Sequence, residues 1–132
     1  MKYSQATDYA LHAMVYMVSS AADKPIGVQV LAEKLGVSQT YLSKLMTKLV
    51  KAGLIQSSTG ANGGYRIRSS QEDISFLDVI HAIEGTASLF ECSIEHGKGC
   101  MIQQVVMDAE QQMEFYLKSK KIADLAKVSK AE

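Results

Sequence analysis

The sequence predicts a mainly α-helical fold with a small β-hairpin: a winged helix-turn-helix followed by a long C-terminal dimerisation helix. Three observations predict it. Two short amphipathic segments flank the turn Leu35-Gly36-Val37-Ser38. The periodicity changes from helical to extended directly after Gly53, around a glycine-rich tip. An apolar seam spaced 4, 3, 4, 3 runs through the C-terminal third.

The chain has 132 residues, 47% of them hydrophobic and 21% charged. That length suits one domain, with or without an appended helix. The composition suits a folded core and excludes a disordered chain. No run of about 18 apolar residues suggests a membrane span. The start Met1-Lys2-Tyr3-Ser4 lacks a signal-peptide core, so a cytoplasmic location is expected. The expected organisation is a winged helix-turn-helix over residues 1–85, a cysteine-containing loop over 86–99, and a dimerisation helix with tail over 100–132.

Formal net charge is zero, but the charges are not mixed evenly. From Lys24 to Arg68 there are seven basic residues against one acid, Glu33. From Ser69 to Leu117 there are nine acids against one basic residue, Lys98. The basic block fits either a phosphate-binding surface or an ordinary solvated run.

The elements follow in order. Ala6, Tyr9, Ala10, Ala13, Met14 and Met17 repeat at helical spacing, so a first helix is expected from Ser4 to Ser20. Leu11, Val15 and Val18 make it apolar nearly all round, as for a helix buried on several sides. Ala22-Asp23-Lys24-Pro25 reads as a loop. Val28, Leu31, Ala32 and Leu35 then mark a second helix, stopped by Gly36. Ser38 is placed to cap a third, whose Leu42, Leu45, Met46 and Leu49 share a face and which Gly53 ends. Leu54–Ser58 and Tyr65–Arg68 are expected strands around the tip Thr59–Gly64.

Ser75 and Asp78 have capping-box spacing and open a fourth helix, with Leu77, Ile80 and Ile83 as its expected core face and Gly85 as its end. A long helix is expected from Cys100 to Leu117. Its Ile102, Val106, Ala109, Met113 and Tyr116 form a heptad seam, either a dimer interface or a face buried on the chain's own core. The basic tail holds a short helix around Ile122–Val128.

The N-terminal residues of the second helix in a helix-turn-helix reach base edges in the major groove. Here these are Ser38, Gln39, Thr40 and Tyr41, with Lys44 one turn on. Gln is suited to a bidentate bond to adenine, and Thr to a base edge or a thymine methyl. Lys44, Lys48 and Lys51 lie off the leucine face, toward phosphates. Tyr41 fits a DNA contact and packing beside Leu45 equally well. Arg66 and Arg68 share one strand face, which is either phosphate-binding or simply solvated.

Cys92 and Cys100 stand eight positions apart in an irregular stretch, with His96 between them. Such a pair serves a metal or cluster, a thiol switch, or no special role. Asp8 is a further candidate ligand, supplied by a partner's first helix. There is no G-x-S-x-G, Walker loop or H-E-x-x-H, and His12, His81 and His96 are scattered, so no enzyme is expected. A module docking a protein partner remains the competing class, favoured by the acidic half.

Several of these residues also carry a resemblance. Thr7-Asp8-Tyr9-Ala10-Leu11, Leu35-Gly36-Val37-Ser38, Tyr41-Leu42, Leu49–Ile55 and Gly60–Arg66 resemble the IscR/NsrR/CymR family of bacterial winged-helix regulators. The likeness runs from Lys2 to about Val128. It implies a homodimer with crossed long helices on a near-palindromic double-stranded DNA operator, usually as a repressor. Members such as IscR and NsrR hold an iron–sulfur cluster on three cysteines. Cys92 and Cys100 match the first two, Val106 stands near the third, and Asp8 matches an acid some relatives use as fourth ligand. Relatives without a cluster answer to protein partners, small molecules or thiol oxidation. The family also tends to place an arginine just before the first wing glycine, where this chain has Thr59.

Overall fold

The computed structural model describes residues 3–20, 24–68, 73–90 and 100–131, with side chains as far as residue 126. Its elements are α1 (Gln5–Ser20), α2 (Val28–Leu35), α3 (Gln39–Lys51), β1 (Ile55–Ser58), β2 (Gly64–Ile67), α4 (Phe76–Glu84), α5 (Met101–Ser119) and α6 (Ile122–Ala131). This is the mainly helical chain with one hairpin that the periodicity predicts. Most ends differ from expectation by a residue or two, as helix ends fray.

One core joins nearly all of them. Met14 of α1, Leu31 of α2, Leu42, Met46 and Leu49 of α3, Ile55 of β1, Val79 of α4 and Ile122 of α6 are fully buried. Helix α5 buries none of its residues.

The α2–α3 turn forms as its residues dictate. Gly36 adopts a left-handed φ of 70°, which costs glycine little and other residues more. The Gly36 and Val37 N–H groups then return to the Ala32 carbonyl. Ser38 is extended, and its Oγ accepts the Tyr41 N–H at 3.1 Å. At the far end the Gly53 and Leu54 N–H groups donate to the Val50 and Leu49 carbonyls and close α3.

Strands β1 and β2 pair antiparallel, from Ile55 opposite Ile67 to Ser58 opposite Gly64. A third, one-residue strand joins them. Ile26 and Tyr65 exchange backbone hydrogen bonds at 2.9 and 2.8 Å. One residue gives no periodicity, so the sequence hid it. Gly64 permits the approach: a Cβ there would lie 2.4 Å from the Ile26 carbonyl oxygen, at a φ of 148°.

The capping box at Ser75 and Asp78 is complete, with both reciprocal bonds at 3.0 Å. The expected core face of α4 needs correction. Val79 and Ile80 are the buried pair, while Leu77 and Ile83 are half-buried. The cause is that α4 lies between two neighbours, the core on one side and α5 on the other, so its apolar residues divide between them. After α5 the chain is tied back by a short ladder: the Phe76 N–H donates to the Lys120 carbonyl, and the Ile122 N–H to that of Ile74, each at 2.9 Å. Ile122, Ala123 and Ala126 of α6 are buried in the core that α1 helps to form.

The Gly64 contact gives a stability prediction. Gly64→Ala should cost about 2 kcal/mol or more, from strain at positive φ together with a backbone clash. Ser38→Ala should cost about 1 kcal/mol through the lost cap. Urea unfolding of both variants measures this; a Gly64→Ala protein as stable as the wild type would contradict the three-stranded wing base.

Candidate nucleic-acid interface

Helix α3 has two faces. Leu42, Leu45, Met46 and Leu49 are sunk in the core, and Gln39, Thr40, Tyr41, Lys44, Thr47 and Lys48 are exposed on the other side. Ser38 is exposed as well. All the residues expected on the groove-facing edge are therefore solvent-accessible and share the first three turns. Thr47 was not expected there; it continues the stripe after Lys44, and its hydroxyl donates to the Ser43 carbonyl at 2.8 Å. On the wing, Arg66 and Arg68 are exposed while Tyr65 and Ile67 turn inward. The hairpin register sets Arg66 opposite Gln56.

Tyr41 is partly exposed and has an aromatic partner on another helix. Its ring meets that of Tyr9 on α1 edge to face, with centroids 5.9 Å apart and planes at 82°. It keeps 39% exposure.

A hydrogen-bond hub fixes the start of α1. Glu84 Oε1, at the end of α4, accepts the Ser4 N–H at 2.9 Å, the Ser4 hydroxyl at 2.6 Å and the Thr7 hydroxyl at 2.7 Å. Thr7 is buried. The bonds from the Ser4 and Thr7 side chains hold the Glu84 carboxyl below its ordinary range, with Lys48 adding a smaller pull. Burial, then the Glu84 and Glu114 carboxylates, push the Tyr3 phenol up. No local pattern announces this hub, because its members lie 77 and 80 positions apart.

Helix α5 leans on α4 and shows its other side to solvent. Met101, Val105 and Phe115 are 85%, 69% and 79% exposed. Of the expected seam, Ile102, Ala109 and Tyr116 are exposed, while Val106 and Met113 are half-buried, with Met113 Sδ 3.9 Å from the Tyr3 hydroxyl. The seam is thus one stripe of the helix, half-buried along the Val106 and Met113 edge and exposed along the other. Beside it lies an open apolar groove of about 540 Å³, lined by Leu11, Val15, Phe76 and Leu125, with Asp8 and His12 at its edge. Phe76 and Leu125 continue it toward Tyr116 and Leu117.

Cys100 is half-buried at the N-cap of α5. Asp8 is exposed on α1, its Oδ1 3.2 Å from His12 Nδ1. Cys92 and His96, and most of the expected loop over 86–99, lie outside the described residues.

The Rrf2 family model, described as an iron-dependent transcriptional regulator, matches residues 3–128. The chain belongs to the Rrf2 family of transcriptional regulators. The Rrf2 relatives it resembles are regulators, not enzymes. Protein rrf2 of Nitratidesulfovibrio vulgaris is 33% identical over 96 residues, 73% of this chain and 64% of that protein. The regulator IscR of Aliivibrio salmonicida is 36% identical over 101 residues, 76% of this chain and 58% of that protein. The match thus spans about three fifths of these relatives' own length. Among solved structures, CymR of B. subtilis, described as its global cysteine regulator, superposes with a TM-score of 0.81 at 26% identity, covering 97% of this chain and 98% of that one. IscR of T. potens gives 0.77 at 29% identity, covering 100% of this chain and 89% of that one.

An iron–sulfur cluster held in the Rrf2 manner needs thiolate donors that this chain does not supply in full. Val106 offers an aliphatic side chain where a third cysteine was expected. Among the described residues no three His, Cys, Asp or Glu side chains converge as a metal site. The donor set does not fit a three-cysteine cluster.

The hub gives a pH prediction. Glu84 has a lowered folded-state pKa, so its contribution is present above the ordinary glutamate range of about 4.3 and is lost as pH falls through the folded value. Glu84→Gln should be less stable than wild type at pH 7, with the gap shrinking toward pH 3. Thermal unfolding across that range checks it; a gap independent of pH would sink the assignment.

Proposed function

We propose that this protein is a homodimeric, DNA-binding transcriptional repressor whose two α3 helices enter successive major grooves of a near-palindromic operator. One observation carries the proposal: Gln39, Thr40, Tyr41 and Lys44 stand exposed at the N-terminal end of a helix whose leucines are buried. That end of the second helix is where base edges are read in helix-turn-helix proteins. Lys44, Lys48, Arg66 and Arg68 meet phosphates, and Gln39 and Thr40 read bases.

Two experiments separate these roles. Lys48→Ala should weaken binding to every duplex alike and reduce the slope of log K against log salt by about 1. Gln39→Ala should instead cost about 1–3 kcal/mol on the preferred sequence only, relaxing discrimination at one position. Binding that ignores salt would defeat the phosphate role.

The dimer rests on the uncovered apolar side of α5 and on the adjoining groove. Exposed Met101, Val105, Phe115 and Tyr116 make a patch of the kind that marks association. A second copy supplies the missing cover, and a two-fold pair of α3 helices matches a palindrome. Val105→Glu with Phe115→Glu should give a folded monomer by light scattering, with operator affinity at least tenfold weaker; a persistent dimer refutes this interface.

Cys92 and Cys100 are the proposed sensor. Cys100 sits half-buried at the N-cap of α5. Peroxide would take two electrons and two protons from the thiol pair, leaving a disulfide and two waters. Wild-type operator affinity should shift on peroxide treatment and recover with dithiothreitol, and Cys92→Ser/Cys100→Ser should not respond. An unaltered response in that variant removes the thiols from sensing.

A further inference from the structure

We propose that Tyr9, on α1, is a positioning residue for DNA recognition: it holds the Tyr41 ring at the groove-facing edge of α3 without touching DNA itself. The inference rests on the DNA-binding role proposed above.

Both rings stand on backbones with little freedom. Tyr9 follows the turn that Glu84 pins through Ser4 and Thr7, and its neighbours Ala10 and Ala13 are fully buried. Tyr41 lies in the first turn of α3, where its own N–H is held by the Ser38 hydroxyl. The rings meet edge to face at 5.9 Å, within the 4.5–7 Å range that aromatic quadrupoles favour. A tyrosine side chain has two main torsions, so one such contact selects among few rotamers. Tyr41 nevertheless keeps 39% exposure, so part of the residue stays open to solvent. It directly follows Gln39 and Thr40, the proposed base readers. With Tyr9 gone, the Tyr41 ring has no described aromatic neighbour and reaches the groove from several rotamers instead of one. Asp8, the residue before Tyr9, borders the apolar groove. Helix α1 therefore spans from that groove to the recognition edge.

The test begins with a duplex that the full-length wild-type protein enriches from a random-sequence library. Dissociation constants are measured on it and on a scrambled duplex, at one salt concentration. The proteins are wild type, Tyr9→Leu, Tyr9→Phe, Tyr41→Ala and the Tyr9→Leu/Tyr41→Ala pair, with thermal unfolding recorded for each. Tyr9→Leu should weaken binding to the enriched duplex about fivefold, the scale of one aromatic pair, and leave the scrambled duplex within about twofold. Tyr9→Phe, which keeps the ring, should bind as wild type. In the Tyr41→Ala background Tyr9→Leu should cost nothing further, because its effect passes through that ring. Tyr9→Met carries the same expectations should Tyr9→Leu not fold. An unchanged affinity in Tyr9→Leu overturns the inference. So does an equal loss on both duplexes, or a loss undiminished beside Tyr41→Ala, either of which marks a purely structural role. Those results leave DNA binding standing. A wild-type protein that enriches no sequence ends the DNA-binding proposal and this inference together.

Discussion

The burial of Leu42, Leu45, Met46 and Leu49 along one side of α3 governs the rest of the molecule. Each such side chain contributes about 1.5–3 kcal/mol when removed from water. Successive helical residues lie about 100° apart, so a one-residue rotation would carry Lys44 and Lys48 toward the core. An unpaired buried ammonium costs far more than any leucine returns. The rotation of α3 is therefore fixed, and its polar edge faces outward as a consequence. Gly36 and the Ser38 cap fix where the helix begins, and with it which residues occupy the exposed first turn.

Helix α5 obeys a different constraint. Its 19 residues span about 28 Å, yet none is buried. Most helical stability in a protein comes from packing of an amphipathic face rather than from propensity, so α5 needs a neighbour. Within one chain that packing comes from α4 and from single contacts: Glu110 Oε1 accepts the Leu89 N–H at 2.6 Å, and Met113 approaches Tyr3. Apolar side chains remain on the far side, beside a groove that α1, α4 and α6 leave open. Two surfaces of the same chemistry, both uncovered and adjoining, are what the proposed dimer would cover. In that proposed dimer they would also set the spacing of the two α3 helices, joining assembly to recognition.

What the sequence disclosed depended on range. The helix-turn-helix, the wing and the Ser75–Asp78 box are written in residues three or four positions apart, and periodicity recovers them. The contacts that orient these parts are not local. Glu84 reaches Ser4 and Thr7, Ile26 pairs with Tyr65, and Tyr9 meets Tyr41, each across a separation no pattern spans. The α5 seam is local in the same way as the helix-turn-helix: Ile102, Val106, Ala109, Met113 and Tyr116 fall on one stripe of the helix, with Val106 and Met113 half-buried and Ile102, Ala109 and Tyr116 exposed. The exposed polar residues of α3 were legible because a leucine stripe defines its own opposite face. Thr47 was passed over although the same stripe places it there.

The zero net charge becomes intelligible once the charges are located. Lys44, Lys48, Lys51, Arg66 and Arg68 are exposed on α3 and the wing, while Glu84, Glu110 and Glu114 line a hollow between α4 and α5. Of the basic set, Lys48 lies close enough to an acid of that hollow to help lower the Glu84 pKa. A phosphate backbone attracts one pole of such a molecule and repels the other. The approach is thereby oriented, while the absence of overall charge limits indiscriminate attraction to any polyanion. Counterion release scales with the phosphates neutralised at the contact rather than with net charge. In the proposed reading, discrimination comes from the few side chains at the start of α3, where the Ser38 cap fixes the turn.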